Sequence, residues 1–211
     1  MKLTKITSLL LAAALSLSLA ACGAAPASSE SAAESVAVSE SVAESEASSA
    51  AESAADAAIT YPLTVTDQLG REVTIESEPK TLASGYYIST SLLIALGVKD
   101  ELVGVEAKAD KRSLYTLSAP EIQELPSIGT AKEFDLEGCA ALQPDLVIVP
   151  AKLKDSIPAM EELGLTVLAV KPEDQSKLFD AVDLLAKATN TVAAGEALKS
   201  HITDSLTALS A

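Results

Sequence analysis

Tryptophan is absent from these 211 residues, histidine occurs once, at His201, and there are two each of cysteine, methionine and phenylalanine. A single histidine rules out the histidine-built zinc or manganese site, whose ligand sets lean on imidazole. Cys139 and His201 form only a formal nucleophile pair. No third group orients them, and Cys139 sits in the apolar stretch 136–142, where a small buried hydrophobe is the expected role. Neither G-x-S-x-G, H-E-x-x-H nor G-x-x-x-x-G-K occurs, so a hydrolase or phosphate-cradling enzyme lacks its constellation. Two cysteines cannot make a disulfide framework. Basic residues are outnumbered, 15 Lys+Arg against 30 Asp+Glu for a net charge of −15. No basic stripe exists, which excludes nucleic acid as an expected partner.

What is present begins with an address. Lys2 and Lys5 precede an apolar run from Ile6 to Leu19, and small residues lead to Cys22. That order reads as a secretory signal peptide rather than a spanning helix. Leu19-Ala20-Ala21-Cys22 resembles the lipobox of bacterial lipoproteins. The resemblance implies cleavage before Cys22 and a thioether-linked diacylglycerol there, a cell-membrane anchor on the extracytoplasmic face. Residues 23–58 are nearly all Ala, Ser, Glu and Val, with seven acids and no base. So few bulky side chains cannot offset the entropy of ordering, and the segment is expected to be a disordered acidic tether. The rest, residues 59–211, carries 13 Lys+Arg against 23 Asp+Glu.

This remainder reads as strands alternating with helices. Segments 63–66 and 72–75 flank the turn Asp67-Gln68-Leu69-Gly70 as a hairpin. Residues 81–84 form a short extended piece, and 89–96 an apolar helix stopped by Gly97. Segments 102–105 and 165–170 are predicted strands. Leu146-Val147-Ile148-Val149 is a continuous apolar run suited to a parallel strand covered on both faces. Helices are expected at 119–124, 135–142 and 154–163, the last stopped by Gly164. Two more follow from the spacing Leu178, Ala181, Val182, Leu185 and Leu198, Ile202, Leu206, Leu209. The alternation predicts an α/β unit, a parallel sheet flanked by helices and ending in a long backbone helix. The last helix has no stop signal and reads as cut.

Five blocks, in order, resemble one family. Asp67-Gln68-Leu69-Gly70-Arg71-Glu72-Val73-Thr74-Ile75 is similar to the D-x-x-G-R-x-V-T-I opening of substrate-binding proteins of ABC importers, in the cluster that carries siderophores, haem and cobalamin. Ala95-Leu96-Gly97, Leu102-Val103-Gly104-Val105 and Leu125-Pro126-Ser127-Ile128-Gly129 resemble later blocks. Asp135-Leu136-Glu137 with Leu142-Gln143-Pro144-Asp145-Leu146-Val147-Ile148 resembles N-L-E…L-x-P-D-L-V. The resemblance implies two α/β lobes joined by a long helix, with ligand in the cleft. On that resemblance this chain is expected to correspond to the N-terminal lobe, 59–172, and helices leading into the connecting helix, 173–211, without the second lobe. It implies an ABC permease as partner and Glu137 as the acid that docks on permease arginines. Two ligand-side loops depart from the pattern. Tyr86-Tyr87 replaces a Ser-Pro, and Ala109-Asp110-Lys111-Arg112 replaces S-D-Y-P.

Ligands of open parallel sheets sit beyond the carboxyl ends of strands. That rule selects Tyr86, Tyr87, Lys108, Arg112, Tyr115, Lys132 and Lys152 as candidate ligand residues. Cations beside tyrosines suit acidic oxygens on a flat or conjugated body, such as a ferric siderophore, haem or corrinoid. The expected function is therefore a lipid-anchored solute receptor of an ABC importer, not an enzyme, with no resident cofactor and no side-chain metal site. The alternative is a single-lobe surface lipoprotein acting as sensor or interaction module.

Overall fold

The computed structural model describes residues 59–210; the expected signal peptide, lipidated Cys22 and tether lie outside the described residues. Two strands come first, β1 (Leu63–Thr66) and β2 (Glu72–Ile75), paired antiparallel as the expected hairpin. Four parallel strands follow: β3 (Leu82–Ser84), β4 (Leu102–Val105), β5 (Leu146–Pro150) and β6 (Val167–Val170), in sheet order β4-β3-β5-β6. The helices are α1 (Tyr87–Ala95), α2 (Ser113–Ser118), α3 (Leu136–Ala141), α4 (Ile157–Glu162), α5 (Gln175–Ala188) and α6 (Val192–Ser210). Among the described residues no helix is long and apolar enough to cross a membrane.

The strand sequences dictate the layering. Side chains alternate faces along a strand, and β5 and β6 are buried at every position. Leu146, Ile148, Leu168 and Val170 face one core with Leu93 of α1 and Ala181, Val182 and Leu185 of α5. Val147, Val149, Val167 and Ala169 face the other with Cys139 of α3 and Ile157 and Met160 of α4. Apolar residues on both faces require helices on both, which is why the run 146–149 carries no alternation. The Cys139 thiol is fully buried. Burial, with the charge of Asp135 adding, pushes it up to about 11, so at neutral pH it is an unreactive thiol.

The family-like blocks have structural causes. Asp67 has a wholly buried side chain. Its Oδ1 accepts from the backbone N–H groups of Leu69 and Arg71, closing the turn, at 2.9 and 3.0 Å. Its Oδ2 accepts from Arg71 Nε and Nη2 at 2.9 and 2.7 Å and from Ala169 N at 3.2 Å. Gln68 N donates back to the Ala169 carbonyl, and Arg71 Nη2 to that of Val167. The D-x-x-G-R block thus fastens the hairpin to edge strand β6 and covers part of its open edge. Asp145 Oδ2 accepts from Lys80 N, Thr81 N and Thr81 Oγ1 at 2.8–2.9 Å, joining the starts of β3 and β5. Asp135 is the N-cap of α3, accepting from Gly138 N.

The structure departs from the sequence reading at four places. Residues 154–163 are not one helix: a 3-10 segment over Ala151–Ser156 precedes α4. Pro158 lacks the N–H an uninterrupted helix would use there, and it is tolerated because it falls in the first turn of α4. Helix α2 was not foreseen. Leu114 and Leu117 are exposed on it, so no buried stripe marked it. The 119–124 helix is a 3-10 segment over Pro120–Glu124. In α6 only the first half packs. Leu198 lies against the core, whereas Leu206 and Leu209 are exposed, 43% and 85%.

Candidate functional site

The carboxyl ends of all four parallel strands open into one cavity of about 590 Å³. Strand β3 delivers Gly85, Tyr86 and Tyr87; β4 delivers Glu106, Ala107 and Lys108. Strand β5 ends in Pro150 and is followed by Lys152 and Lys154, and β6 is followed by Lys171 and Glu173. Leu69, from the hairpin tip, and residues 129–131 complete the wall. Gly129 is needed there. Its φ is +86°, and an added Cβ would run into the Glu133 carbonyl oxygen and stand 2.8 Å from Asp135 N.

The wall carries five cations, Lys108, Arg112, Lys152, Lys154 and Lys171, against two carboxylates, Glu106 and Glu173. Glu106 is paired with Arg112, and Lys171 lies 3.1 Å from Glu173. Among the described residues Lys108, Lys152 and Lys154 form no ion pair. A domain that is acidic overall therefore has a positive cavity, and such focusing raises the local concentration of an anionic solute. Lys108 holds φ at +70°, a backbone region costly for a long side chain and found disproportionately at functional sites.

The aromatic part is equally local. The Tyr86 and Tyr87 rings meet edge to face, centroids 5.1 Å apart. Burial, then the neighbouring Tyr87 and the charge of Glu173, holds the Tyr86 phenol above its ordinary value, so at neutral pH it remains a donor. Arg112 Cζ lies 4.5 Å from the Tyr87 centroid, a cation–π distance.

Of the seven residues expected on the ligand side, the structure brings Tyr86, Tyr87, Lys108, Arg112 and Lys152 to the cavity. Tyr115 is a correction: it is 0% exposed, and its hydroxyl lies 2.8 Å from Glu106 Oε1 beneath the wall. Its place on a short helix turns the ring inward. Lys132 is exposed but outside the wall, where its neighbour Ala131 stands instead. Sequence reasoning missed Lys154 and Lys171, which lie just past β5 and β6 and were open to the same strand-end rule. It also missed Glu106, whose signal was only an acid directly after a predicted strand. Glu137 is exposed in the first turn of α3, away from the cavity wall. His201 is exposed on α6, and no group of three or more His, Cys, Asp or Glu among the described residues is placed to hold a metal ion.

Known proteins resemble this chain in sequence and fold. A curated relative, the uncharacterized ABC transporter substrate-binding lipoprotein YvrC of Bacillus subtilis (strain 168), is 26% identical over 133 residues, 61% of this chain and 40% of the relative. A periplasmic solute binding protein from Veillonella parvula DSM 2008 superposes with a TM-score of 0.62 at 26% identity, over 69% of this chain and 46% of that one. The Haemophilus influenzae molybdate binding protein MolA, bound to molybdate, gives 0.60 at 22% over 65% and 49%. Staphylococcus aureus SirA, complexed with staphyloferrin B, gives 0.57 at 19% over 67% and 47%; these two share the fold. The chain spans less than half the length of these relatives. The sequence pattern of the periplasmic binding proteins matches residues 82–211, from the first parallel strand through the last helix, and the chain belongs to that family.

Proposed function

We propose that this protein is a lipid-anchored solute-binding protein of an ABC import system. It captures an iron–siderophore, haem, corrinoid or similar chelate and presents it to a membrane permease, with no chemistry performed on the solute. In this reading residues 1–22 are the leader, 23–58 the spacer, 59–172 the binding lobe and 173–211 the approach to an inter-lobe helix. The observation that carries it is the cation-rich, tyrosine-lined cavity at the ends of all four parallel strands. The relative named as an ABC transporter substrate-binding lipoprotein supports the receptor role and the anchor.

Isothermal titration of the chain with ferric citrate, haemin, cobalamin and molybdate tests it. At least one chelate should bind saturably. Arg112→Ala should weaken that binding by roughly 1.5–3 kcal/mol, the worth of one charge-assisted contact. Silence from every chelate favours the sensor or interaction module. Unchanged affinity across alanine variants of Tyr86, Tyr87, Lys108, Arg112, Lys132 and Lys152 places the site elsewhere.

Permease docking falls to Glu137. An acid in the first turn of a helix is favoured by the helix dipole, and its two oxygens suit an arginine fork. Glu137→Arg should leave chelate affinity unchanged and abolish uptake in whole cells, through like-charge repulsion. Normal uptake by that variant would reduce Glu137 to a helix-start residue.

A further inference from the structure

We propose that Glu106 is the positioning residue of the cavity, holding Arg112 so that its guanidinium end receives a carboxylate of the ligand. The inference rests on reading the cavity as a solute site. Glu106 directly follows β4 and is 5% exposed. Its two oxygens accept from three donors, one on α1 and two at the start of α2. Oε2 accepts from Thr90 Oγ1 at 2.7 Å, and Oε1 from Arg112 Nε and Tyr115 Oη, each at 2.8 Å. Thr90 is itself anchored, its oxygen 2.8 Å from Ser84 Oγ. A buried carboxylate with three donors has no freedom left, so it is a fixed reference point for the side chain it grips.

What it grips is the Nε edge of Arg112. The ring faces hold the rest, with Cζ 4.5 Å from the Tyr87 centroid and 5.9 Å from that of Tyr115. Among the described residues Nη1 and Nη2 make no hydrogen bond and no ion pair. The side chain is one-third exposed and lines the cavity. Two parallel N–H groups at the Nη end match the two oxygens of a carboxylate. The cavity volume of about 590 Å³ is far larger than a single tetrahedral oxyanion needs. The ligand class is therefore an organic polycarboxylate, one group seated on Arg112 and others within reach of Lys108, Lys152 or Lys154.

Two roles for Glu106 predict opposite signs. If it acts only through its charge, Glu106→Gln removes a negative charge from the wall and tightens an anion. If it acts by fixing Arg112, the same change loosens the anion. Citrate is the probe, titrated calorimetrically into the full chain, with molybdate as the tetrahedral control. Wild type should bind citrate in preference to molybdate. Glu106→Gln should bind it at least about tenfold more weakly, as expected when one charge-assisted contact is no longer held. In an Arg112→Ala background Glu106→Gln should change nothing further. The Arg112 Nε–H resonance should exchange slowly in wild type and fast in the variant. Tyr115→Phe, which keeps the ring and deletes one donor to Glu106, should show a smaller loss and guards against a Glu106 variant that does not fold. Equal or tighter citrate binding by Glu106→Gln, no citrate binding by wild type, or molybdate bound in preference to citrate would each overturn the proposal. Glu106-dependent citrate binding with every metal chelate silent would retain it and discard the chelate-import reading.

Discussion

An Asp67→Ala protein should unfold roughly 6–20 °C below the parent, from a loss of about 3–5 kcal/mol spread over a domain of this size. The carboxylate is completely buried and satisfies five donors at once. Alanine leaves the Leu69, Arg71 and Ala169 N–H groups without that acceptor, and an unmade buried hydrogen bond costs more than a made one contributes. It also strips Arg71 of its buried partner. Arg71 remains 28% exposed and paired with Glu161 at 2.7 Å, so water and Glu161 relieve part of the loss. Asp67→Asn, which keeps one acceptor oxygen, should fall between the two. Thermal melts followed by circular dichroism decide it. A shift below about 2 °C, less than 1 kcal/mol for a domain this large, would mean that the hairpin is held by its apolar residues Val65, Val73 and Ile75 alone. Because Leu69 of the same turn lines the cavity, the variant should also bind solute more weakly at temperatures where it is still folded.

Cys22→Ser should abolish lipid attachment, releasing the protein into the medium or leaving the precursor unprocessed. The expectation follows from the order of charge, apolar run, small residues and cysteine. A serine hydroxyl cannot form the thioether that carries the diacylglycerol. One acyl chain gives marginal, reversible binding at about 10⁴ M⁻¹, whereas two or more hold a protein on the bilayer. Loss of all of them is therefore an all-or-none change, not a graded one. Labelled palmitate should enter the parent and not the variant. The variant should appear in the medium or persist as unprocessed precursor. A variant that still labels and sediments with membranes would remove the lipoprotein reading and leave the cavity argument untouched.

Most of the fold was legible because its signals are local. The run Leu146–Val149, the stops at Gly97 and Gly164 and the hairpin turn each depend on neighbours in sequence. Both glycines hold φ above +80°, where a side chain would be strained. Helix α2 was not legible because its apolar residues Leu114 and Leu117 stay in solvent and mark no face. The split of 151–162 was hidden because a 3-10 start and an α-helical start share the same apolar spacing over one turn.

The candidate site divides along the same line. By itself the sequence determined the class of fold, and with it the end of the sheet where the loops after parallel strands meet. The strand-end rule placed Tyr86, Tyr87, Lys108, Arg112 and Lys152 together before any coordinates. Only the tertiary structure decided which way each side chain faces. It turned Tyr115 beneath the wall, kept Lys132 off it and added Lys154 and Lys171. It also joined Thr90 of α1, Glu106 after β4, and Arg112 and Tyr115 at the start of α2 into one hydrogen-bonded cluster. Strand ends converge because backbone hydrogen bonding forces neighbouring strands side by side, which a sequence pattern encodes. Whether a polar side chain near those ends meets solvent or a buried carboxylate depends on packing between segments far apart in the chain, which no local pattern contains.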